Sequence, residues 1–161
     1  MASPQMVMYE DEFRKISALI DRLHREATAK VCYLVDKNGQ LIAAAGETAN
    51  IDSTSLASLT AGNIAATSGL AKLLGEKEFS IVFHEGERDN IHISLIGQRV
   101  ILVVVFDNRS SLGLVRLRVK RITQELDTIF LAMAAKSQSG AGAPSPFAEI
   151  TDLDIDNLFK D

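Results

Sequence analysis

Two tight-turn signatures, each set between apolar runs of strand length, constrain the fold of this chain more than any other feature. Asp36-Lys37-Asn38-Gly39 separates residues 31–35 from 41–45, and Gly97-Gln98 separates 91–96 from 99–106. Asn-Gly accepts the positive φ that a hairpin needs, and glycine in first place predicts a type II′ turn for the second pair. A further apolar run at 79–83 predicts one more strand, followed by a polar loop over 85–90. No apolar run is longer than the seven residues of 100–106, which is too short to cross a bilayer as a helix.

Helical periodicity fills the gaps between these strands. Phe13, Ile16, Leu19, Ile20 and Leu23 recur at three- and four-residue steps and predict a helix over 9–28. Asp52 or Ser53 can cap a long helix that runs to Leu74 and stops near Gly75. Ser110 or Ser111 opens a last helix to about Lys136, with Leu114, Leu117, Ile122, Leu126, Ile129, Phe130 and Met133 as its main apolar positions. The order is therefore αββαβββα. Two hairpins and a long crossover helix predict an α/β domain over 1–136, with a five-stranded, mostly antiparallel sheet and helices on both faces. Residues 137–146 (SQSGAGAPSP) read as a flexible linker, and 147–161 as an acidic, amphipathic end.

Composition excludes several classes. An apolar fraction of 47% fits a globular chain, and a net charge of −4 offers no electrostatic reason to bind nucleic acid. The first eight residues lack the pattern of a secretory signal, and the lone Cys32 fits a reducing compartment. The expectation is a cytoplasmic protein without membrane insertion.

A search for chemistry finds little. No G-x-x-x-x-G-K-[ST] phosphate cradle occurs, and the G-x-G at Gly140 lies in the linker. His84 and His92 flank the 85–90 loop and, with Glu85, could approach one another across adjacent strands. Two imidazoles and one carboxylate fall short of a supported metal site. His24 reads as structural and Cys32 as a small buried hydrophobe. No serine has a histidine and an acid at a familiar spacing. The expectation is a chain with no catalytic site, metal or cofactor of its own.

Two segments stand out. On the 52–74 helix, Leu56, Leu59, Leu70 and Leu74 gather on one side and supply a sheet-facing surface. Beside them runs a stripe of small residues, Ser58, Gly62, Ala65 and Gly69. Glycine within a helix costs about 1 kcal/mol relative to alanine, so the stripe serves close approach, either to the chain's own sheet or to a partner. At the other end, Glu149, Asp152, Asp154, Asp156 and Asp161 face only Lys160, and Thr151 with Asp154 resembles a capping box. Ile155, Leu158 and Phe159 follow at i, i+3 and i+4. A helix this short does not persist alone in water, so the end either docks or serves as a solubilising tail. Arg109, Arg116, Arg118, Lys120 and Arg121 lie in a stretch without an acid, a solvated face or a partner-facing patch.

The element order, with VDKNGQLIAAAG (35–46), SLASLTAGNIAATSGLAKLLGE (55–76), FHEG (83–86), VFDNRSSLGLVRLR (105–118) and SPFAEITDLDIDNLF (145–159), resembles the Roadblock family. Within that family it is similar to bacterial members paired with a Ras-like GTPase in gliding motility and polarity control. The resemblance implies a homodimer joined edge to edge through the third strand, with Phe79, Ile81 and Phe83 at the seam. It implies that the two long helices lie side by side and present Ser58, Ala61, Gly62, Ala65, Ala66 and Gly69 to a GTP-loaded GTPase. The partner's own catalytic groups would be held in position, with Arg109 and Arg116 as candidates to act in trans. Ile155, Leu158 and Phe159 would make a separate contact that promotes nucleotide exchange. Enrichment at a cell pole would accompany this role. A dimeric scaffold that recruits polarity proteins, or a small-ligand sensor on the same frame, are the alternatives.

Overall fold

The computed structural model describes residues 10–138. Residues 137 and 138, expected to open the linker, are described and helical, whereas residues 139–161, including Ile155, Leu158 and Phe159, lie outside the described residues. The elements are α1 (Glu10–Glu26), β1 (Val31–Asp36), β2 (Leu41–Gly46), α2 (Ser53–Leu74), β3 (Ile81–Glu85), β4 (Asn90–Ile96), β5 (Val100–Phe106) and α3 (Leu112–Gln138). The strands form one five-stranded sheet in the order β2-β1-β5-β4-β3, every neighbouring pair antiparallel. No helix among the described residues is long and apolar enough to cross a membrane.

β5 is the centre of the fold, and its sequence VILVVVF explains why. Every residue is buried, and successive side chains point to opposite faces, so both faces need a cover. Val100, Leu102, Val104 and Phe106 join Cys32 and Leu34 against α1 and α3. Ile101, Val103 and Val105 join Val31, Tyr33, Ile93 and Leu95 against α2. Burying a side chain of this size stabilises by about 1.5–3 kcal/mol, so the middle strand anchors both cores. α1 and α3 are also tied by ion pairs, Arg22 to Glu125, Arg118 to Glu26 at 3.3 Å and Lys136 to Glu12 at 3.0 Å.

Several expectations need correction. The 97–98 turn is not type II′: Gly97 (φ 58°) and Gln98 (φ 56°) are both left-handed, the pattern of type I′, which suits the twist of the flanking strands. In the first hairpin Gly39 (φ 89°) takes the positive φ, while the Asp36 carboxylate accepts from the amides of Asn38 and Gln40, each at 2.9 Å. α1 ends by Glu26, and Thr28 turns the chain with φ 51°. On α3 the buried row is Val115, Val119, Ile122, Leu126, Phe130 and Met133, whereas Leu117 is 48% exposed.

β3 is displaced two residues from its expected place. The Leu95 amide donates to the Ser80 carbonyl at 2.8 Å and the register begins at Ile81↔Ser94, which leaves Phe79 in the connection from Gly75. The strand runs on through His84, and Glu85 belongs to it rather than to the loop. The reason is facial: this register sends Phe83 toward the α1/α3 core, where its ring stacks on Phe106 at 6.1 Å.

Candidate functional site

α2 is held by its ends and by one face. Asp52 caps it, accepting from the Ser55 amide at 3.1 Å and the Ser55 hydroxyl at 2.7 Å, bonds that also hold the Asp52 carboxyl below its usual range. Gly75 ends it with φ 76°, its amide turned back to the Ala71 and Lys72 carbonyls. Tyr33 rises from the sheet to hydrogen-bond Ser53 at 3.0 Å. Underneath, the β1–β2 turn presents Gly39, where a Cβ would sit 3.1 Å from the Ser58 Cα. A side chain at Gly39 would wedge the helix off the sheet.

The face that meets the sheet is Ala57, Thr60, Ile64 and Ala71. The leucines therefore do not supply the sheet-facing surface expected of them. Leu56 packs in part on the core, but Leu59 is 74% exposed, Leu70 57%, Leu73 84% and Leu74 70%. Small residues at 57 and 71 let the helix lie close to the strands, and the larger leucines are turned out. The pattern Ala57–Thr60–Ile64–Ala71 was present in the sequence, but its modest side chains carry a weaker hydrophobic signal than the leucine row.

Ser58, Gly62, Ala65, Ala66 and Gly69 lie on the outer side of the helix, and Ala61 is half-buried. A Cβ built at Gly62 or at Gly69 meets no atom within 4 Å. The subunit's own packing gives no reason for glycine at either position. Small stripe and leucine row flank the outer side of one helix, forming an apolar ledge whose backbone is accessible.

The arginines are not gathered on that ledge. Arg109 sits past the end of β5, where its guanidinium bonds Asp107 at 2.9 Å and Glu47 at 3.5 Å; the first of these carboxylates does most to raise its pKa. Arg116 projects from α3, on the opposite layer of the sheet from α2. Within one chain neither completes a constellation with Gly62 or Gly69.

The other candidates resolve simply. His84 pairs with Ile91 across β3–β4 while His92 pairs with Phe83, so the two imidazoles face opposite sides of the sheet and cannot share a metal. His84 Nε2 instead lies 3.4 Å from the Asn63 amide nitrogen of α2. Among the described residues no group of three or more histidines, cysteines or acids is placed to hold a metal. Cys32 is buried, and desolvation pushes its thiol up to about 12. His24 packs against Gly46, where a Cβ would come within 2.7 Å of the ring. Sequence reasoning missed the burial of His92 and Ser94 in β4. The alternation of Ile91, Ile93 and Leu95 with them gave the only signal.

Residues 15–106 match the Roadblock/LC7 domain. The chain belongs to the Roadblock/LC7 family. Myxococcus xanthus MglB is 63% identical to it, covering 79% of this chain and 96% of that one, with a TM-score of 0.76. The gliding protein MglB of Thermus thermophilus is 34% identical over 81% of this chain and 99% of that one, with a TM-score of 0.75. A structure described as MglB with tetrameric arrangement is 32% identical over 82% and 99%, with a TM-score of 0.76. No match was found among curated proteins.

Proposed function

We propose that this Roadblock chain is a homodimeric activator of a small Ras-like GTPase of the MglA type, acting in gliding motility and polarity. The observation that carries it is the open space at Gly62 and Gly69, on a helix whose neighbouring leucines are exposed. A helix that keeps two unneeded glycines beside uncovered apolar surface is suited to accept another backbone at close range. The likeness to MglB supports a GTPase as that backbone's owner. The ledge carries no acid, base or nucleophile at Ser58, Ala61, Gly62, Ala65, Ala66 or Gly69 beyond a serine hydroxyl. The contribution to hydrolysis is then to favour the partner's aligned switch conformation over its others. Ile155, Leu158 and Phe159 would bear on nucleotide exchange through a separate contact.

The test is phosphate release by an MglA-type GTPase loaded with GTP, with and without the full chain. The expected result is acceleration by the native chain and its loss in Gly69→Leu, a substitution whose Cβ meets no atom of its own subunit. Unchanged release at saturating native protein would overturn the proposal.

A further inference from the structure

A second concave surface lies on the opposite layer from α2. Between α3 and the β3–β4 edge is a cleft of about 430 Å³, lined by Ile81, His92, Ser94, Arg116, Val119 and Lys120 among others. Cavities of roughly 300–1,000 Å³ are the size that binding sites use. The pairings Ile81↔Ser94 and Phe83↔His92 put these strand residues on one face, toward α3. His92 is 1% exposed and Ser94 5%. Neither ring nitrogen of His92 nor the Ser94 hydroxyl has a hydrogen-bond partner among the described residues. Buried polar atoms are rarely left so; the Ser94 hydroxyl and the protonated ring nitrogen of His92 can each donate to an acceptor group, and the other ring nitrogen can accept. At the mouth, Arg116 and Lys120 are exposed and form no ion pair among the described residues, whereas Arg118 between them in sequence is paired with Glu26.

The fitting occupant has carboxylates for these donors and an apolar body for Ile81 and Val119. The chain carries such a segment. Residues 150–161 (ITDLDIDNLFKD) interleave Asp152, Asp154 and Asp156 with Leu153, Ile155, Leu158 and Phe159. Distance permits the match. α3 ends at Gln138, and the helix from Lys120 to there is about 27 Å long. The connecting residues 139–149 would span roughly 17–20 Å as a coil, at ~5–6 Å times the square root of their number, and at most about 40 Å when extended. The cleft falls between those limits. A tether of that length gives millimolar effective concentration, so a contact weak between separate molecules is filled within one.

We propose that residues 150–161 dock into the α3–β3–β4 cleft of their own chain, aspartates toward Arg116, Lys120, Ser94 and His92 and apolar side chains toward Ile81 and Val119. The docked segment uses the same apolar residues that an exchange contact would need, so the cleft holds them in reserve and the two contacts exclude each other. The inference does not depend on the GTPase reading and is tested without a GTPase.

The experiment uses the full chain with Asp161→Cys carrying a nitroxide, the native Cys32 being buried and poorly reactive. In ¹⁵N spectra the amides of Ile81, Ser94 and Lys120 should broaden severalfold more than those of β2 on the far edge. The broadening should survive tenfold dilution of tagged, labelled protein into untagged, unlabelled protein. It should fall at least twofold in the tail triple variant Asp152→Asn, Asp154→Asn, Asp156→Asn, which leaves the core untouched, and in Arg116→Glu with Lys120→Glu. Absence of broadening at the cleft, or insensitivity to the tail variant, would overturn the proposal. So would loss on dilution, which would give the cleft to a second copy.

Discussion

At the scale of single residues, His92 combines burial with a missing partner. Desolvation first, and the neighbouring Arg116 charge second, hold its pKa below the usual 6.5. Phe83 and Val104 flank it across β3 and β5, and neither carries charge. A group whose folded pKa is depressed binds fewer protons folded than unfolded, so stability rises with pH through that range. Its contribution is complete above pH 6.5 and is lost as pH falls from there toward the folded value. Chemical denaturation of the triple variant Asp152→Asn, Asp154→Asn, Asp156→Asn, whose tail brings no carboxylate to the ring, should therefore show stability falling as pH drops below about 7, and adding His92→Leu should flatten that slope. Parallel slopes in both proteins would reject the assignment. Gly46 makes the complementary case. Its φ is 100°, and a Cβ would lie 2.5 Å from the Lys30 carbonyl and 2.7 Å from the His24 ring. Gly46→Ala should cost roughly 1–3 kcal/mol in a urea unfolding curve.

At the scale of elements, α2 shows where sequence pattern suffices and where it does not. Its limits were legible from Asp52 and Gly75, because capping is local chemistry. The facing was not. Leucines ordinarily mark the buried side, but here Gly39 brings the β1–β2 turn against Ser58 and Ala61, and the face that meets the sheet is Ala57, Thr60, Ile64 and Ala71. The exposed glycines then acquire a measurable consequence. Gly62 and Gly69 have no positive φ and no neighbour within 4 Å, so alanine should stabilise the fold by roughly 0.5–1 kcal/mol at each. On the proposed function the same substitutions weaken GTPase activation. A rise in thermal midpoint with a fall in stimulated turnover would separate the two effects, and a fall in midpoint would place these residues in the subunit's own packing. β3 shows the other limit. Its apolar run begins at Phe79, yet register is set by Phe83 reaching Phe106, a long-range contact that no local window contains.

At the scale of the whole molecule, the topology leaves β3 at one edge of the sheet and β2 at the other. β3 is short and Ile81 is 52% exposed, so its outer backbone edge is available for a second copy. The alternation of an antiparallel ladder identifies which groups face outward. Because Leu95 donates to Ser80, positions 80, 82 and 84 bond inward to β4, and Ile81, Phe83 and Glu85 present their N–H and C=O groups to the open side. Proline lacks the N–H, and it is tolerated at the first residue of an edge strand. Ile81→Pro should thus leave each subunit folded while removing an outward donor from the seam, whereas Val82→Pro should break a bond to β4 and destabilise the subunit itself. Light scattering at micromolar concentration should give a dimer mass for the native chain and a monomer mass for Ile81→Pro, with circular dichroism unchanged. A dimer that persists in Ile81→Pro would place the interface away from the β3 edge, and the two α2 ledges would then not be brought side by side by a shared sheet.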